Sequence, residues 1–175
     1  MADTQTEQGS PFWRFSLRFY RRPGVADACI ALQDGCGVDV NILLLLLWLA
    51  TARRRISVAA AQEVCAKAAA WRDDVVIPLR TLRRRLKDGS SLVERGAAEL
   101  FRTRIKAIEL ESERLQQESM FALAADLETE SASAVEAAAR ANVAAYEQTL
   151  ARTFAPDAVN VLVRALLVDE PRRMG

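Results

Sequence analysis

Nine consecutive apolar residues, Ile42 to Ala50, constrain this chain more than anything else in it. As a helix the run spans only about 14 Å, against roughly 30 Å of bilayer hydrocarbon, so it is too short to cross a membrane. It is also apolar on every side, and a helix without a polar face belongs inside a protein, surrounded by other elements. The residues before it read as punctuation. Gly35 and Gly37 end a preceding helix, and Asp39 is placed to cap the new one by accepting hydrogen bonds from the amides near Asn41 and Ile42. The expectation is a central helix over about residues 39–52.

The remainder of the chain supplies its surroundings. Alanine is abundant, glycine and proline are sparse (7 and 5 of 175), and no stretch alternates apolar and polar residues between turn signals, so the fold class is all-α. Ser10-Pro11 starts a helix that puts Phe12, Phe15 and Phe19 on one face. Pro23-Gly24 separates it from a second helix, Ser57 caps another beyond the basic break Arg53-Arg54-Arg55, and Pro78 interrupts or kinks the chain before LRTLRRRLK. Asp88-Gly89-Ser90-Ser91 reads as the clearest loop.

A long helix follows, with Phe101, Ile105, Ile108 and Leu115 as its expected apolar stripe. After a restart at Ser131 or Ser133 comes an amphipathic helix marked by Ala132, Val135, Ala139, Val143, Tyr146, Leu150 and Phe154, and a last helix opens at Ala155-Pro156-Asp157. Two antiparallel helices joined near residue 130 are expected to form a hairpin with the terminal helix folded back on it.

Several function classes are disfavoured by what the composition lacks. With no histidine, the usual general base, the Ser-His-Asp and Cys-His systems and histidine-containing metal sites are out of reach. There is no phosphate-binding glycine loop with lysine and no dinucleotide fingerprint, so no cofactor is expected. The three cysteines, Cys29, Cys36 and Cys65, lack paired metal-ligand spacing and suit a reducing cytoplasm. Cys36, in a glycine-flanked turn, reads as an inert thiol because no neighbouring base or cation would lower its pKa. The first ten residues, polar and acidic, do not resemble a secretory leader.

Two groups of residues stand out as candidate sites. Arg80, Arg83, Arg84 and Lys87 spread over one side of a short helix whose other side holds Leu79, Leu82 and Leu86. Guanidinium groups suit carboxylates and phosphates. Residues 1–106 carry 18 Lys/Arg against 11 Asp/Glu, and residues 107–175 carry 6 against 12. The arginines therefore either bind the acidic part of their own chain or an acidic protein partner. Nucleic acid is disfavoured by a net charge of +1 and by aromatics that cluster away from the basic stretch. The second group, Gln33, Asp34, Asp39 and Asn41, either orders the turn into the central helix or forms the polar mouth of a pocket walled by Leu43 to Leu47 and Trp48. Glu109, Glu113 and Glu118 recur along the long helix with Gln116 and Gln117 beside them; Glu109 and Glu113 share a helix face, and the group reads as a solvated face, with paired-carboxylate chemistry as the alternative.

FWRFSLRFY, GVADACIALQD, GVDVNILLLLLWLA, VVIPLRTLRRRLK and RIKAIELESERLQQE, in that order, resemble an uncharacterised proteobacterial family labelled domain of unknown function 2390 over about residues 11–123. The resemblance implies a small cytoplasmic helical protein without an assigned activity, and no functional residues to carry over. The expected organisation is then a disordered segment over 1–10, a helical bundle core over 11–123 and a helical extension over 124–175 packing on it. The expected role is a non-enzymatic interaction or adaptor protein. A binder of an apolar small molecule such as an acyl chain is the alternative, and a carboxylate-based enzyme is a third reading.

Overall fold

The computed structural model describes residues 9–89 and 92–168 of the 175-residue chain. Among them are eight α-helices: α1 (Pro11–Tyr20), α2 (Val25–Cys36), α3 (Val40–Thr51), α4 (Val58–Trp71), α5 (Ile77–Arg85), α6 (Arg95–Asp126), α7 (Val135–Leu150) and α8 (Pro156–Leu167). The architecture is an all-α bundle. Its one addition is a short antiparallel pair, β1 (Arg54–Ile56) with β2 (Thr129–Ser131), in the register Arg54 with Ser131 and Ile56 with Thr129.

The helix starts follow local chemistry. Ser10 Oγ accepts from Trp13 N at 3.1 Å, Ser57 Oγ accepts from Ala60 N at 3.1 Å, and Asp39 Oδ1 accepts from Asn41 N at 2.9 Å and Ile42 N at 3.4 Å. Each satisfies amides that the helix itself leaves open. α2 runs on through Gly35 and stops at Gly37, whose φ of +69° is cheap for glycine alone.

α3 is the centre of the molecule. Ile42 to Leu47, Leu49 and Ala50 are all buried; at roughly 1.5–3 kcal/mol per large apolar side chain removed from water, this one helix contributes a large share of the stabilising free energy. Trp48 lies at its edge between Phe12 and Phe121, with ring centroids 5.7 and 5.6 Å away. No helix of the described residues is long and apolar enough to cross a membrane.

The helix lying most extensively along α3 is α7, which brings Val135, Ala139, Val143 and Tyr146 into the core. The hairpin expected near residue 130 is replaced by a different join. α7 packs chiefly on α3 and α4 rather than on α6, and the connection passes through β2. Ser131 belongs to that strand, and Ala134 takes the cap position of α7.

Asn142, fully buried, ties the arrangement together. Its Oδ1 accepts from Ile56 N at 2.9 Å, and its Nδ2 donates to Leu46 O and Arg54 O, both at 3.0 Å. The segment beyond residue 124 thus completes the core, and Tyr146, Phe154 and Leu162 are among the largest fully buried side chains.

Between α4 and α5 the chain does not break. Arg72–Val76 forms a π-helical turn, which accommodates Pro78: its ring cannot sit against the carbonyl four residues earlier, and it has no N–H to donate. Most of the disorder expected over 1–10, the acidic and basic tail after Val168, and Ser90-Ser91 of the expected loop lie outside the described residues. Ser10 is placed firmly, its N–H donating to Glu118 Oε1 at 2.8 Å.

Candidate functional site

α6 buries a face different from the one its apolar residues suggest. Ala98, Ile105, Glu109, Ser112, Gln116, Gln117, Met120 and Ala124 are buried, whereas Phe101, Ile108 and Leu115 are 49%, 52% and 43% exposed. At 100° per residue the buried face is rotated by roughly a quarter turn from the expected stripe. Only Ile105 belongs to both. The expected solvated face of Glu109 and Glu113 is corrected accordingly: Glu109 is only 5% exposed, Glu113 is half-buried, and both face α5.

The reason is charge pairing. Arg80 donates from Nε to Glu109 Oε1 at 3.2 Å, from Nη2 to Glu113 Oε1 at 2.8 Å, and from Nη1 to Gln33 Oε1 at 2.6 Å. Arg83 donates to both oxygens of Glu109, through Nε to Oε2 and through Nη2 to Oε1 at 3.1 Å. A planar guanidinium presents its donors as a rigid fork that matches a carboxylate, where a lysine offers only a point charge. Burial pushes the Glu113 carboxyl above its ordinary value, and Arg80 pulls against that shift. Arg84 reaches Asp34 at 3.5 Å with both side chains about half exposed. Lys87 lies apart, in a separate depression of about 470 Å³ with Arg95 and Glu99.

A cleft of about 380 Å³ opens between α1, α2, α3, α5 and α6, within the size range of small-molecule sites. Trp13, Leu17, Ile30, Val40, Leu44 and Leu110 give it apolar walls. Arg80, Arg83, Arg84, Gln33 and Asn41 also line it, so five of the eight candidate residues from the two sequence groups meet here; Asp34, Asp39 and Lys87 are not in its lining. Of the leucines expected to wall a pocket, Leu44 does so, and Leu43, Leu45, Leu46 and Leu47 are core.

Behind the cleft runs a chain of side-chain amides. Gln116 Nε2 donates to Asp39 Oδ2 at 3.0 Å, Asn41 Nδ2 donates to Gln116 Oε1 at 2.7 Å, and Gln117 Nε2 donates to Asn41 Oδ1 at 2.7 Å. The chain ends at Gln117 Oε1. That atom and Ser16 Oγ are buried and have no hydrogen-bond partner among the described residues, and both residues line the cleft.

Sequence reasoning did not single out Ser16, and it noted Gln117 only as a neighbour of the glutamates on the long helix. Ser16 carries a usable signal, being a hydroxyl one turn from Phe12 inside an otherwise aromatic stripe. Gln117 carries none until α3 is placed beside it. Among the described residues no group of three or more carboxylates and thiols has the geometry for a metal ion.

No curated protein and no solved structure matches the chain. A family model described as Protein of unknown function (DUF2390) matches residues 11–120, which takes in α1 to α5 and most of α6, and so every wall of the cleft. The chain therefore belongs to this family of proteins of unknown function, DUF2390.

Proposed function

We propose that the chain is a non-enzymatic binding protein that holds a small, largely apolar ligand in the cleft between α1, α2, α3, α5 and α6. One observation carries the reading: Ser16 Oγ and Gln117 Oε1 are buried, have no hydrogen-bond partner among the described residues, and belong to residues that line the cleft. A buried polar group left unsatisfied costs about 1–3 kcal/mol, and a ligand seated in the cleft would recover that cost.

Binding rather than catalysis is favoured by the state of the carboxylates. Glu109 and Glu113 are both engaged by guanidinium groups, which leaves no unpaired acid and base facing each other as carboxylate chemistry would need. A cytoplasmic setting fits the three free thiols.

The test is a heteronuclear magnetic resonance titration with octanoate. The Trp13 indole N–H and the Gln117 side-chain amide are expected to shift first, and Leu17→Trp, which fills the cleft, to abolish the response. Shifts scattered over the surface, or unchanged in Leu17→Trp, would remove the cleft from consideration.

A second reading, an interaction protein, is favoured by Phe101, Ile108 and Leu115. They repeat every seven residues on the exposed side of α6, a spacing suited to a helix laid alongside. The occupant proposed is α6 of a second copy. Light scattering should then give a dimer mass that becomes monomeric in the double variant Phe101→Ser, Ile108→Ser. A monomer mass for the parent at high concentration would refute it.

A further inference from the structure

The chain of amides behind the cleft has a direction. Asp39 Oδ1 is committed to the two backbone amides at the start of α3, and Oδ2 can only accept, so Gln116 must turn its NH2 toward it. That leaves Gln116 Oε1 to accept from Asn41, Asn41 Oδ1 to accept from Gln117, and Gln117 Oε1 as the terminal atom. Reversing any amide would set two acceptors or two donors against each other. The unsatisfied end is therefore an acceptor by construction, and what completes it must donate. Ser16 Oγ beside the same cleft can donate or accept, so it tolerates either partner.

The cleft as a whole carries excess positive charge: five cations line it, Arg21, Arg80, Arg83, Arg84 and Lys106, against the two carboxylates Glu109 and Glu113. Arg21 and Lys106 form no ion pair among the described residues. Lys106 is eleven residues before Gln117 on α6, and Arg21 is five after Ser16 at the end of α1. At 1.5 Å per residue these two cations stand roughly 8 Å (Arg21 from Ser16) and roughly 16 Å (Lys106 from Gln117) along their own helices from the two unpartnered atoms.

We infer that the cleft selects an anionic amphiphile bearing a neutral O–H or N–H donor at the end of its apolar body remote from the charge. The donor meets Gln117 Oε1 and Ser16 Oγ, and the anion meets the Arg21 and Lys106 rim. The inference rests on the cleft being a ligand site, and a matched set of probes separates the two claims.

Octanoate, 8-hydroxyoctanoate and 8-methoxyoctanoate share the eight-carbon chain and the charge, and only the second can donate. In water the hydroxyl should weaken burial of the chain end, so tighter binding has no trivial cause. The expected result by isothermal titration is that 8-hydroxyoctanoate binds roughly tenfold tighter than either of the others. That preference should collapse in Gln117→Met and, should that variant fail to fold, should shrink in Ser16→Ala.

Equal affinity for the three, with resonance shifts still confined to the cleft, would overturn the donor and leave the ligand site standing. Absence of cleft shifts with all three would overturn both. A preference surviving in both variants would overturn the assignment to Gln117 and Ser16. Octylamine binding more tightly than octanoate would overturn the anionic end.

Discussion

α3 and α6 are both long-range organisers of this fold, and they are built on opposite terms. α3 buries apolar residues on every side, and any arrangement that surrounded it would be favourable. α6 buries Glu109, Ser112, Gln116 and Gln117 while leaving Phe101, Ile108 and Leu115 half exposed, which is favourable only because Arg80, Arg83, Asp39 and Asn41 stand opposite. Apolar burial is non-directional, whereas polar burial is tolerable only with partners in the right geometry. The first helix makes the core, and the second specifies which core.

The contrast can be broken from either side. The largest effect is expected for Leu45→Asp, which puts an unpaired carboxylate at a position with no exposure; the loss of several kcal/mol against a total of about 5–15 should leave the chain unfolded by circular dichroism. Melting like the parent would mean that α3 is not central. Next comes Glu109→Gln, which deprives Arg80 and Arg83 of their shared anion at a site mostly shielded from water. A loss of about 2–4 kcal/mol in urea unfolding is expected, against under about 0.5 for Arg84→Ser, whose partner Asp34 is solvated. Equal losses in the two variants would show that depth is not what matters.

A smaller, pH-dependent effect tests the same pair. The folded-state pKa of Glu113 is raised chiefly by burial, so between its ordinary value of 4.5 and the raised value the folded chain holds more protons than the unfolded one. Stability from this group therefore falls as pH rises through that window. Relative to Glu113→Gln, the parent should lose stability from pH 4.5 upward, and a flat difference would place Glu113 in an environment like water. A modest effect, about 1 kcal/mol, is expected for Ile108→Ser, whose side chain is already about half in water. A loss of several kcal/mol would mean that the expected apolar stripe is structural after all.

These differences also explain what could be read from the residues. The central helix, its Asp39 cap, the Ser10 and Ser57 caps and the stripe of α7 were all legible, because each rests on interactions within one segment or on apolar periodicity. The buried side of α6 was not. Hydrophobic periodicity on that helix points to Phe101 and Leu115, and only the three-dimensional neighbours of Glu109 and Gln117 decide otherwise.

The charge imbalance between residues 1–106 and 107–175 hinted at the pairing of Arg80 and Arg83 with Glu109 and Glu113, yet it could not say which arginines were involved. Asn142 and the β1–β2 pair were invisible for the same reason, since their partners are 73 (Ile56 to Thr129) to 96 residues away. Family membership has the same limit. The matched region ends at residue 120, but the helix lying most extensively along α3 begins at Val135, so the matched segment by itself would leave a leucine face of α3 uncovered.

The π-helical turn over Arg72–Val76 works as an angular setting for everything after it. One residue more or less in that turn would rotate α5 by about 100° and move it by about 1.5 Å, carrying Arg80 and Arg83 away from Glu109. The segment is thus intolerant of length change even where its side chains are exposed: Asp73 and Asp74 are replaceable in kind but not in number.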